Sequence, residues 1–193
     1  MANICETIYI LKGDKSVISD FAGTIDAVAA KNRGHVFLAD FAETFGIDVE
    51  RENVDARGEF GDYDISLEGT QMTFYTYSKW VDCKELFDMI KEKLGDVSLS
   101  YLAVETGNEV FNKHDEDDDF VDDECYVCAG GSTFEDEGEH SMNIVMAVDN
   151  WFDIMGLDRP EGLTYMDLVD YINDYEGYKD EDDFYSIGIF QEL

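Results

Sequence analysis

The chain has 193 residues, 45% of them hydrophobic and 13% aromatic, which is enough apolar material for packed cores and too much for wholesale disorder. Its 46 Asp and Glu against 13 Lys and Arg give a formal net charge of −33. Such a chain repels DNA, RNA and anionic membranes, because each phosphate contact needs a cation to replace a released counterion.

The start, Met1 to Cys5, lacks the basic residues and apolar run of a signal peptide. No apolar stretch approaches the roughly 20 residues that cross a bilayer. Cys5, Cys83, Cys125 and Cys128 read as reduced thiols rather than a disulfide framework. A cytoplasmic protein is expected.

In chain order, Ile4, Tyr9, Ile10 and Leu11 lie in a β-rich run that ends at Gly13. A helix capped by Asp14 or Ser16 follows, with Val17, Ile18, Phe21, Ile25 and Val28 at helical spacing. A shorter helix places Phe37, Leu38, Phe41 and Phe45 on one face and stops at Gly46. Phe60 to Leu67 alternates as a strand, and Met72 to Tyr77 returns after the turn Glu68-Gly69-Thr70. Gly58 and Gly61, flanking Phe60, read as a bulge rather than a phosphate cradle. Asp82 is placed to cap a helix, with Glu85 at the capping-box position and Leu86, Phe87, Ile90 and Leu94 on its apolar face. Val97 to Val104 forms a final strand.

This order, βα(α)ββαβ, is that of a ferredoxin-like α+β fold with an antiparallel sheet. The expected domain spans residues 1–106, and 107–193 form a strongly acidic α+β extension or small second lobe. Residues 1–105 hold 20 acidic and 10 basic side chains, net −10, whereas 106–193 hold 26 and 3, net −23. In the second half, Cys125 to Cys128 reads as a strand and Met142 to Met155 as a helix burying Ile144, Val145, Val148, Trp151 and Phe152. Thr164 with Asp167 starts another helix, bearing Leu168, Val169 and Ile172, and Phe184 to Phe190 closes as a strand.

Asn3-Ile4-Cys5 with Ile8-Tyr9-Ile10 and Gly13, then Leu99-Ser100-Tyr101 with Val104-Glu105 and Gly107-Asn108 before an acidic stretch, form a short hydrophobic pattern. Over about the first 110 residues it resembles the YubB-like ferredoxin-fold proteins of plasmids and phages. The resemblance implies a ferredoxin-like fold and a mobile-element setting, and it carries no catalytic residues over.

Cys125-x-x-Cys128, with His114 upstream and His140 downstream, suggests zinc, which needs four converging ligands. Residues three apart on a strand point to opposite faces, so two structural cysteines are the expected reading. A thiol redox pair would open a helix, whereas Gly130-Gly131 follow here. Aligning Asp115, Asp117 and Asp119 to a calcium loop puts Phe120 where Gly is required and Tyr126 where a bidentate Glu belongs. With three histidines and no nucleophile or phosphate-loop motif, no catalytic residue, metal or cofactor is expected.

Acid clustered with aromatics is the least ordinary feature, as in Asp170-Tyr171, Asp174-Tyr175-Glu176, Tyr178 and Phe184-Tyr185. Rings anchor interfaces, and charge steers a basic partner. The expected function is a non-enzymatic acidic binding protein, a nucleic-acid mimic that occupies the basic groove of a DNA- or RNA-binding partner. Its expected contact residues are Asp115, Glu116, Asp117, Asp118, Asp119, Asp122, Asp123 and Glu124, then Asp180, Glu181, Asp182 and Asp183. The alternatives are a small metal-dependent protein or enzyme using Cys125, Cys128 and His140, and an acidic domain with no decoy role, its charge serving solubility or a salty environment.

Overall fold

A computed structural model describes residues 3–135 and 137–193. The chain is α+β and divides into two compact units, residues 1–120 with 192–193, and residues 121–191. Among the described residues no helix is long and apolar enough to cross a membrane.

In the first unit, β1 (Ile4–Gly13) alternates, turning Cys5, Thr7, Tyr9 and Leu11 inward. Helix α1 (Lys15–Lys31) buries Ile18, Phe21, Ala22, Ile25 and Val28. Asp14 is its N-cap residue by backbone geometry, without a side-chain cap hydrogen bond. Two short helices follow, α2 (Leu38–Thr44) and α3 (Val49–Glu52). Strand β2 (Gly58–Ile65) leads to β3 (Gln71–Lys79), helix α4 (Lys84–Leu94) and β4 (Val97–Glu105). The strands lie side by side as β2-β3-β1-β4, every neighbour antiparallel.

Buried side chains of α1, α2 and α4 share one core with the inward residues of these strands. Its centre is aromatic: the Tyr9 ring lies 4.9 Å from Phe74 and 4.3 Å from Phe87, and Phe41 meets Phe60 edge-on at 4.7 Å. The β2–β3 register shifts between Phe60 and Tyr63, so a bulge does lie at Gly61. At Gly58 a Cβ would stand 2.6 Å from the Tyr77 carbonyl oxygen, so only glycine lets the strands approach.

Helix α4 begins one residue later than its sequence suggests: the N-cap is Cys83, with no side-chain cap hydrogen bond. Asp82 is buried, and its Oδ2 accepts a 2.7 Å hydrogen bond from Asn112 Nδ2. The expected boundary at 106–107 falls in a tight turn. There the buried Glu105 carboxylate accepts from the N–H groups of Gly107 (2.7 Å) and Asn108 (2.8 Å). The chain then returns as β5 (Val110–His114), antiparallel to β4, and the unit continues through Phe120.

The second unit has its own sheet, ordered β7-β6-β8, from β6 (Cys125–Gly130), β7 (Glu139–Met142) and β8 (Phe184–Ile189). Helices α5 (Ile144–Met155) and α6 (Tyr165–Asn173) share its core through Ala147, Val148, Trp151, Phe152, Leu168 and Ile172. Met142 belongs to β7, and α5 starts after Asn143, whose side chain accepts from Val145 N–H at 2.9 Å. Thr164 and Asp167 close a reciprocal capping box on α6. Asn173 pins the end of α6 to β8, accepting from Ile187 N–H (2.8 Å) and donating to its carbonyl (3.0 Å). The two-residue β9 (Gln191–Glu192) lies beside β5 and completes the larger sheet as β2-β3-β1-β4-β5-β9.

Candidate functional site

The acidic run after β5 forms a loop folded against the first unit. Asp115 accepts from the N–H groups of Asp119 (2.7 Å) and Phe120 (2.9 Å), closing the loop on itself. Glu116 reaches β4 and α4: it accepts from Leu99 N–H at 3.1 Å, pairs with Lys91 and lies 3.2 Å from His114 Nε2. Partial burial raises its carboxyl, and the Lys91 ammonium, Leu99 N–H and His114 more than offset this, holding it below the usual carboxylate range. Asp117 takes the Ser98 hydroxyl, and Asp119 takes that of Ser100 at 3.0 Å. Both carboxylates face Lys12 of β1. Asp118, in a left-handed backbone conformation (φ 57°), points to solvent. Of the five acids in this run, four are therefore engaged within the unit.

The remaining candidates lie in the second unit. Asp122 is exposed. Asp123 accepts from the Ser141 hydroxyl, and Glu124 accepts from Ile144 N–H at 3.0 Å, tying the chain before β6 to β7 and α5. Asp180, Glu181 and Asp182 are exposed in the loop before β8, and Asp180 shapes that loop by accepting from Asp182 N–H at 3.2 Å. Asp183 turns inward with 6% of its surface exposed. The Thr133 hydroxyl (2.5 Å) and N–H (3.0 Å) hold its carboxyl below the usual range. Over residues 121–191 the sequence carries 19 acidic and 2 basic side chains, Arg159 and Lys179. Arg159 pairs with Asp149 at 2.6 Å.

The rings near these acids divide. Tyr175, Tyr178 and Tyr185 pack into or against the core, and Tyr178 accepts a hydrogen bond from Trp151 Nε1 at 3.2 Å. Tyr171 and Phe184 are exposed. Cys125 faces the core with Val127 and Ala129, while Cys128 turns to the other face of β6, 3.4 Å from Glu139 Oε1. His140 stands opposite Val127 in register and so does not share a face with Cys128. Burial pushes the Cys125 thiol up to about 12 and that of Cys128, with Glu139 beside it, to about 11. Among the described residues no group of three or more His, Cys, Asp or Glu is arranged to hold a metal ion.

A further polar cluster lies inside the first unit. At one end of the first unit's core, Cys5, Thr7, Thr76 and Ser78 occupy inward positions on β1 and β3, with Asp82, Cys83 and Glu105 also buried. The hydroxyls of Tyr9, Thr76 and Tyr101 are buried without a hydrogen-bond partner. Burial pushes the Cys5 and Cys83 thiols up to about 12, so both stay protonated near neutrality and neither is poised as a nucleophile. The signal is in the sequence, as small polar residues at alternate positions (Cys5, Thr7; Thr76, Ser78), but the apolar residues around them conceal it.

Comparison with known proteins finds no matching family model, no similar curated protein and no similar solved structure.

Proposed function

We propose that the protein is a non-enzymatic acidic binding protein whose second unit docks on a basic surface of a nucleic-acid-binding protein and takes the place of the nucleic acid. The observation that carries this reading is the charge of residues 121–191, 19 acids against 2 cations, on a unit with a packed core of its own. A disordered acidic tail would lose chain entropy on binding, whereas a folded unit presents its carboxylates already spaced. Asp122, Asp180, Glu181 and Asp182 are the contact residues of choice, being exposed and, at 180–182, on a loop held by its own hydrogen bonds. Asp115, Glu116, Asp117, Asp119 and Asp183 act indirectly, through the hydrogen bonds and ion pairs that hold their loops. In the first unit, the βα(α)ββαβ order with strands arranged β2-β3-β1-β4 supports a ferredoxin-like reading, the YubB-like resemblance supports a mobile-element setting, and the four free cysteines support a cytoplasmic one.

The test is capture of basic proteins on the immobilised chain, followed by elution with a double-stranded DNA or RNA oligonucleotide. The reading expects a captured protein that the oligonucleotide releases and that rising salt weakens. Capture indifferent to the oligonucleotide leaves an acidic surface without a decoy role.

A further inference from the structure

The face of the first unit's sheet opposite α1 and α4 has a composition that solubility alone does not explain. Tyr77 on β3 stands directly opposite Glu6 on β1 and Glu59 on β2, so three strands place one ring between two carboxylates. Tyr75 stands opposite Ile8 in the next row of the same face, and Thr73 separates Ile10 from Asp64 in the row beyond. Tyr77 is 38% exposed and its ring is seated: a Cβ on Gly61 would lie 2.6 Å from its Cε2, so the bulge lets the ring lie across β2. Beside it a groove of about 440 Å³ is lined by Ile4, Phe37, Ala56, Arg57, Glu59 and Lys79, with Tyr77 at its wall. Phe37 is 48% exposed and held by stacking on His35 (centroids 5.7 Å apart), whose Nδ1 lies 3.2 Å from Glu59 Oε2.

Two exposed rings fixed by glycine contact and stacking are rigid anchors that lose little freedom on binding. An aromatic face flanked by carboxylates attracts a guanidinium or ammonium twice, through the ring quadrupole and through charge-assisted hydrogen bonds. The cations of the face do not cancel this. Lys12 is taken by Asp117 and Asp119, Arg57 is paired with Asp55, and Lys79, exposed opposite Ile4, lines one end of the groove. We propose that this open face, centred on Tyr77 between Glu6 and Glu59, docks an arginine- or lysine-bearing segment of a basic partner protein, with an apolar neighbour of that segment in the Phe37–Ile4 groove. The inference rests on the reading that the partner is basic, and it places a second contact outside the acidic unit.

The test uses the isotope-labelled full chain and a blocked five-residue peptide alternating Arg and Leu, titrated in about 0.3 M NaCl to screen diffuse attraction. Amide shifts at Glu6, Glu59 and Tyr77 are expected, and a Glu/Leu peptide should give none. Tyr77→Ser should weaken binding by about five-fold or more and Tyr77→Phe by less than about two-fold, since the ring rather than the hydroxyl carries the attraction. Lys79→Gln should tighten it. Dispersed spectra of the variants check their folding. Shifts confined to residues 121–191, or a Tyr77→Ser affinity equal to that of the parent, overturn the sheet site while leaving the acidic reading standing. Absence of shifts in either unit overturns both.

Discussion

Asp117 and Asp119 of the first unit share Lys12 and the hydroxyls of Ser98 and Ser100, whereas Glu181 and Asp182 of the second stand exposed in a unit that holds two cations. The two runs look alike as strings of acid. Their difference lies in what each loop folds against: β4 offers serine hydroxyls and a backbone N–H, β1 and α4 offer lysines, and the 180–183 loop meets Ser132 and Thr133 through Asp180 and Asp183. Acid is structural where donors converge on it and is free to act on a partner where they do not.

The largest effects are expected in the two cores. Phe74→Ala in the first unit and Trp151→Ala in the second each remove a fully buried aromatic, and each should cost about 3–5 kcal/mol in urea denaturation. A cost below about 1 kcal/mol for Trp151→Ala would mean that the second unit is not the packed platform the proposed function requires.

At the next level, Glu116→Ala should destabilise by about 1–3 kcal/mol, because it leaves Leu99 N–H and Lys91 without their acceptor. Glu181→Ala, made at an exposed position, should stay within about 0.5 kcal/mol of the parent. Equal costs would erase the distinction between held and free acid.

The held acids also set an acid limb. The carboxyls of Glu116 and Asp183 lie below their ordinary range, so the stability they give is fully present above about pH 5 and is lost as pH falls through the lowered folded values. Glu116→Gln and Asp183→Asn should each flatten that loss, and a parallel acid limb in the variants would contradict the assignment. The smallest effect concerns screening. Raising NaCl from about 0.1 to 1 M shortens the Debye length from about 10 to about 3 Å. Amides of 121–191 should then gain more protection from hydrogen exchange than those of the first unit, since like-charge repulsion is densest there.

Elements with strong local signals were legible in the sequence. The Phe21–Ile25–Val28 spacing placed α1, and Thr164 with Asp167 marked the start of α6. What failed were features settled by distant residues. Asp82 has the spacing of a cap, and its Oδ1 does accept from Lys84 N–H at 3.4 Å, but the shorter bond to its carboxylate comes from Asn112, thirty positions on. The change in charge after residue 105 suggests a domain boundary at 106–107, but Glu105 folds Gly107 and Asn108 into a hairpin turn that leads into β5. Strand β7 carries Glu139, His140 and Ser141 and has no apolar alternation to announce it. The acidic run at 115–119 showed its charge and not its fate, because Lys12 and Lys91 lie far away in sequence.

The proposed function has the free acid of the second unit carry binding. Its most direct measurement is the affinity of the captured basic partner for three forms of the chain at graded salt. These are the parent, a triple amide variant at Asp180, Glu181 and Asp182, and a matched triple at the exposed first-unit acids Glu68, Glu92 and Asp96. The first triple should lose about ten-fold or more in affinity, mainly in the on-rate and shrinking as salt rises, with little change for the second. Equal losses from the two triples, or an affinity indifferent to salt, would contradict it.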